Sequence, residues 1–261
     1  MTLVKHELKQ GKASFLIWTA AIGFLLAVCV FLFPEMKGQT DSFGDMFASM
    51  GSFSDAFGMD RLNFGTLIGF YAVECGNILG LGGAFYASIC AVGILSKEEK
   101  GRTAEFLLTH PVSRQRVITE KLAAVFVQII ALNLIIYAVS AGSIAAVGET
   151  IPWKELSLLH LAYFLLQLEL AGICFGISAF IKKSSVGIGL GVAAMMYFIN
   201  LIANIAESAE FLKYITPFAY TEGADIVTDG CLNRTRLLIG MALAVAGIAA
   251  AYVKYTKKDI S

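Results

Sequence analysis

Glu169 stands near the middle of a long apolar stretch beside Gln167. A carboxylate at such a depth is costly in hydrocarbon, and the default expectation is that it carries a proton or an ion, or faces a polar path. Two further polar pairs lie at helical spacing within apolar runs: Glu74 with Asn77, and Asn200 with Asn204. Each pair would share a helix face. The competing use of such groups is hydrogen bonding between helices, worth roughly 1 kcal/mol per contact. Other chemistries find less support. His6, His110 and His160 are far apart, with no H-E-x-x-H pair to place two imidazoles on one helix face for zinc. Glu98, Glu99 and Arg102 approach an E-E-x-x-x-R protease pattern but fall one residue short, in a charged segment. No G-x-S-x-G elbow occurs. The only Gly-Lys pair, Gly11-Lys12, is followed by Ala13 and lacks the earlier glycine of a phosphate-binding loop.

The elements that would hold these groups follow from composition. The 261 residues are 57% hydrophobic and 15% charged, with a mean hydropathy of +0.72. An average soluble domain carries about 25% charged residues, and a bilayer span takes about 20 apolar ones. Windows at 14–33, 66–95, 122–147, 157–181, 186–206 and 237–255 are each long enough to cross. Backbone polar groups cannot be left unpaired in lipid, and no short barrel-like alternation is present, so all six are expected to be helices. The predicted fold class is all-α, a single polytopic unit over 1–261 with few residues outside spans and loops. Cys29, Cys75, Cys90 and Cys174 fall in apolar runs and Cys231 stands alone, a pattern of small buried hydrophobes rather than disulfides. Lys5, Lys9 and Lys12 precede the first run as in a secretory signal. That run is too long, however, and ends at Phe33-Pro34-Glu35 without small residues for cleavage, so a retained first span is expected.

Orientation follows from Lys and Arg. Fourteen of the 20 fall at the N-terminus, in 96–121, at Lys182-Lys183 and at the C-terminus. The alternate loops hold the other six and most of the acids. Both termini and 96–121 should therefore face the cytoplasm. A short interfacial helix with Val4 and Leu8 opposite the lysines is expected ahead of the first span, and an amphipathic helix between Phe43 and Phe57 on the outer side. GxxxG spacings at Gly65/Gly69, Gly76/Gly80, Gly172/Gly176 and Gly187/Gly191 would permit close helix packing, including dimerisation. No basic block suits nucleic acid.

The most informative stretch is 96–121, SKEEKGRTAEFLLTHPVSRQRVITEK. Gly101 offers a helix stop, Thr103 an N-cap and Glu105 a favourable charge in the first turn. Pro111 ends that helix before His110, and Ser113 can cap the next. The result is a short cytosolic helix bearing Phe106, Leu107 and Leu108. An exposed apolar triplet needs cover, either from the ends of its own bundle or from a cytosolic partner.

The run from Glu99 to Arg114 resembles the E-x-G-T-x-E-x-L-L-x-x-P-V-S-R stretch of ABC-2 type transporter permeases, with Arg102 as an insertion. The resemblance extends to the basic N-terminal segment, to Tyr214-Ile215-Thr216-Pro217-Phe218 before the last span, and to the tail Lys257-Lys258-Asp259-Ile260. It implies the membrane-spanning subunit of an exporter in the cell membrane, paired with a second copy or a paralogue. ATP would be used by separate cytosolic ATPase subunits, with no cofactor bound by this chain. By the same resemblance the loop is a coupling helix, with Thr103, Glu105, Phe106, Leu107 and Leu108 docking and Arg114 and Arg116 as flanking contacts. The alternative is an ion-coupled secondary transporter that works through Glu169 and the other intramembrane groups.

Overall fold

A computed structural model describes residues 2–37, 51–97, 113–181 and 185–257. Six helices are long and apolar enough to cross a membrane, and each overlaps one of the six apolar windows. They are α1 (Thr2–Lys37), α3 (Leu67–Val92), α4 (Arg114–Ala146), α5 (Trp153–Ser178), α6 (Val186–Ile205) and α8 (Arg234–Lys257). Two short helices, α2 (Ser52–Phe57) and α7 (Gly223–Asp229), and the 3-10 turns Glu207–Tyr214 and Pro217–Tyr220 close the end of the bundle remote from the N-terminus. No strand occurs among the described residues. The all-helical, six-span reading therefore holds. Of the amphipathic helix expected between Phe43 and Phe57, residues 38–50 lie outside the described residues, and only α2 represents it.

Two helices outrun the bilayer. At 1.5 Å per residue, the 36 residues of α1 and the 33 of α4 extend about 54 and 50 Å, against a hydrocarbon core of about 30 Å. The N-terminal stretch expected as a separate interfacial helix is helical from Thr2 and continues without a break into the first span. Nothing in Gly11-Lys12-Ala13-Ser14 stops it, because a lone glycine costs a helix only about 1 kcal/mol. Ser113 caps α4 as its position predicts, its hydroxyl accepting from the Arg116 amide. Helices α1 and α4 pack along much of their length, so their overhanging ends lie side by side, with Ser113 at the start of α4.

α5 is the hub, with 67% of its apolar window buried against 22% for α6 and 17% for α8. It packs on α8 and α3, and α6 packs on the outside of α3. The α5–α8 seam is made by small residues. A Cβ at Gly176 would lie 2.8 Å from the Gly247 Cα, and one at Gly172 would lie 2.9 Å from the Ala244 Cβ. The Gly187/Gly191 pair has the same spacing but no such role, since a Cβ at Gly191 meets nothing within 4 Å. Here Gly189 makes the contact, against the Ser88 carbonyl of α3. Gly191→Ala is therefore expected to leave the thermal unfolding midpoint unchanged or to raise it, by at most about 1 kcal/mol of helix propensity. A concentration-dependent loss of stability would instead place this face against a second copy.

α3 is not a uniform helix. Between Cys75 and Gly82 the backbone takes a π-helical turn, Gly76–Leu81. Such turns fit one extra residue into a helix and recur at functional positions. Gly76 and Gly80 let this turn lie directly on the Tyr163 ring of α5.

Candidate functional site

The expected docking residues Thr103, Glu105, Phe106, Leu107 and Leu108 lie outside the described residues. The expected flanking pair is in the first turn of α4, and its contacts are internal. Arg114 Nη1 donates to the Thr256 carbonyl near the end of α8 at 3.4 Å. Arg116 Nε donates to Glu120 Oε1 one turn on at 2.9 Å, and Glu120 Oε2 accepts from the Leu3 amide at 3.1 Å. These contacts tie α4 to α8 and α1.

Beside them is a cluster that the sequence reading missed. Glu7 of α1 is 3% exposed and Lys121 of α4 is fully buried. Lys121 Nζ donates to Glu7 Oε1 at 3.0 Å and to the Ile94 carbonyl at 2.7 Å. The other Glu7 oxygen accepts from Lys97, which also donates to Gln10 Oε1 at 2.7 Å. One carboxylate thus holds Lys97, immediately before residues 98–112, and Lys121, in the third turn of the helix that follows them. A buried charge in low dielectric requires this degree of pairing. The available clue was that Glu7 is the only acid before Glu35, among three lysines.

The intramembrane candidates separate into three places. Glu169 is fully buried at the α5–α8 seam. Gly240 makes room for it, since a Cβ there would fall 2.1 Å from Oε2. Neither carboxylate oxygen meets strict hydrogen-bond geometry with a described residue, but the Tyr220 hydroxyl, itself buried, lies close enough to interact with it. Gln167 belongs to a different contact, accepting from Asn133 Nδ2 at 2.6 Å. Glu74 and Asn77 were expected on one face, and the π-turn that begins at Gly76 separates them. Glu74 meets the Cys29 thiol of α1 at 3.7 Å, whereas Asn77 Oδ1 accepts from Tyr197 Oη of α6 at 3.4 Å.

Asn77 joins Asn200 and Asn204 on the wall of a cavity of about 70 Å³, which Tyr163, Tyr197 and Glu222 also line. The segment before α7 forms one wall, where Glu222 Oε2 accepts from Arg61 at 3.2 Å, and Arg61 also bonds Asp225 Oδ1 of α7 at 2.5 Å. Burial works against the Arg61 charge, but the hydrogen bond and charge of Asp225, aided by Glu222, outweigh it, and the guanidinium pKa is raised. His160, on α5 nearer this end, takes part in a chain across three helices. It bonds the Tyr71 hydroxyl at 2.8 Å, and Tyr71 donates to Ser140 Oγ at 2.7 Å. Among the described residues no group of three His, Cys, Asp or Glu could hold a metal ion.

A family model described as ABC-2 family transporter protein matches residues 1–260. No curated protein gives a match.

Proposed function

We propose that this chain, which belongs to the ABC-2 transporter family, is the permease subunit of an exporter in the cell membrane, driven by ATP hydrolysed on separate cytosolic subunits. The multi-pass helical body and the family membership are the premises. The observation that carries the coupling is the Glu7 cluster, which joins the chain on both sides of residues 98–112 to the overhanging end of α1. A force applied to the Thr103–Thr109 segment would reach α1, α3 and α4 together rather than bend one loop. Closure of the ATPase subunits on ATP would then favour one of two bundle arrangements by its differential binding to them. The path for cargo would lie between this chain and a second copy or a paralogue, with Glu105, Phe106, Leu107 and Leu108 seated in the ATPase.

One observation favours the other reading, an ion-coupled secondary transporter: the fully buried carboxylate of Glu169, which faces the Tyr220 hydroxyl and no cation among the described residues. The two readings part in reconstituted vesicles. The proposal expects a P-loop ATPase to co-purify from the native host in mild detergent, and transport to require that subunit and ATP. Transport by this polypeptide alone, following an imposed proton or sodium gradient, would overturn it in favour of Glu169.

A further inference from the structure

Glu169 is sealed inside the bundle, whereas Glu74 of α3 is only partly buried. Three helices define what surrounds it. The back of α3 lies on α5, through Gly76 and Gly80 against Tyr163 and Gly83 against Gln167. One edge meets α1, where Glu74 faces the Cys29 thiol and Gly82 lies beside Ile22. The other edge meets α6, where Asn77 accepts from Tyr197 and Gly189 approaches Ser88. The face turned away from α5 is left open. Glu74, Ile78, Leu81 and Phe85, spaced at four, three and four residues, are all partly exposed.

A carboxylate on an open face within a span needs a counter-charge or a polar path. The Cys29 thiol at 3.7 Å is a weak donor and brings no charge. No Lys or Arg among the described residues pairs with Glu74; the cations Lys37 and Arg61 are engaged by Glu149, and by Glu222 and Asp225. A second copy would not supply one at this depth. The six apolar windows contain no Lys or Arg except Lys254, which lies in the last turn of α8, close to where Arg114 of α4 meets Thr256. The counter-charge therefore has to come from outside the chain. One carboxylate does not meet the six to eight oxygens that a hard cation such as calcium takes. Ile78, Leu81 and Phe85 beside it suit a cation with an apolar body, since burying apolar surface is favourable and an aromatic ring attracts positive charge to its face.

We propose that the open face of α3 binds a lipophilic cation, with Glu74 as its counter-charge, and that such cations are the class of cargo this protein moves. The statement about cargo rests on the reading of the chain as a permease; the binding site does not.

The test is equilibrium dialysis of radiolabelled tetraphenylphosphonium against the full-length protein, with any subunit that co-purifies, in phosphatidylcholine nanodiscs, with empty nanodiscs subtracted. Saturable binding is expected, and triphenylphosphine oxide, which has similar rings and no net charge, should compete at least tenfold less well than unlabelled tetraphenylphosphonium. Glu74→Gln should weaken binding at least tenfold, and Glu74→Asp, which keeps the charge, should retain most of it. Glu149→Gln, which removes an acid paired with Lys37 outside the spans, should bind as the parent does. Should Glu74→Gln fail to fold, the neutral competitor decides on the unaltered protein. No saturable binding, equal competition by the neutral compound, or parental affinity in Glu74→Gln would overturn the site. Because dialysis needs neither ATP nor the ATPase, such a failure leaves the exporter reading standing, and a bound cation without any ATPase requirement for transport would overturn that reading alone.

Discussion

Glu7→Ala is expected to lower stability by about 3 kcal/mol, toward the lower end of the range for breaking a buried ion pair, and to abolish ATP-driven transport. The size follows from what stays behind. Lys121 is fully buried and would lose a carboxylate at 3.0 Å while its ammonium stays out of water. The Ile94 carbonyl remains as a partner, which keeps the loss from being larger. Lys97, whose side chain is 31% exposed, can turn to solvent at little cost. An exposed helical ion pair such as Arg116–Glu120 is worth only about 0.3–0.5 kcal/mol, so thermal unfolding in detergent separates the two cases. The double variant Glu7→Leu with Lys121→Met removes both charges together, and apolar replacement of a whole buried pair is often neutral or better. Stability should return in that variant. Transport should not, because the tie between α1 and the chain on both sides of residues 98–112 is gone. Recovery of both would reduce the cluster to a structural role.

Phe106→Asp combined with Leu107→Asp is expected to separate the permease from its ATPase while leaving the bundle intact. Each carboxylate forced into an apolar groove costs several kcal/mol of desolvation, so binding should weaken more than about a hundredfold. The unfolding midpoint of the isolated permease should stay within error of the parent. The opposite pattern, a lowered midpoint with the ATPase still bound, is what the double variant would give if the triplet covered its own helix ends. Co-purification and thermal unfolding on one preparation decide between the two.

The spans were legible because lipid leaves the chain few options: an apolar window of 20 residues has to become a helix, whatever its neighbours are. The Ser113 cap was legible because capping is local. Spacing alone could not tell Gly172/Gly176, which meet α8, from Gly187/Gly191, where a Cβ would meet at most the nearby Ser185 side chain and no other helix. That difference depends on where the partner helix lies. Glu7 was hidden for a similar reason. Among Lys5, Lys9 and Lys12 it looks like one more charge on a wetted face, while its buried partner is 114 residues away. The π-turn in α3 left no clear mark in the residues, yet it sends Glu74 toward α1 and Asn77 toward α6. The convergence of Asn77, Asn200, Asn204 and Glu222 is tertiary and could be seen only once α3, α6 and the segment before α7 were in place.

The most direct measurement is site-specific photo-crosslinking from position 107, with a photoreactive amino acid in place of Leu107 and the protein kept in native membranes. A product that contains a P-loop ATPase, strengthened or weakened by added nucleotide, is the predicted outcome. Crosslinks confined to this chain's own helices would contradict the account.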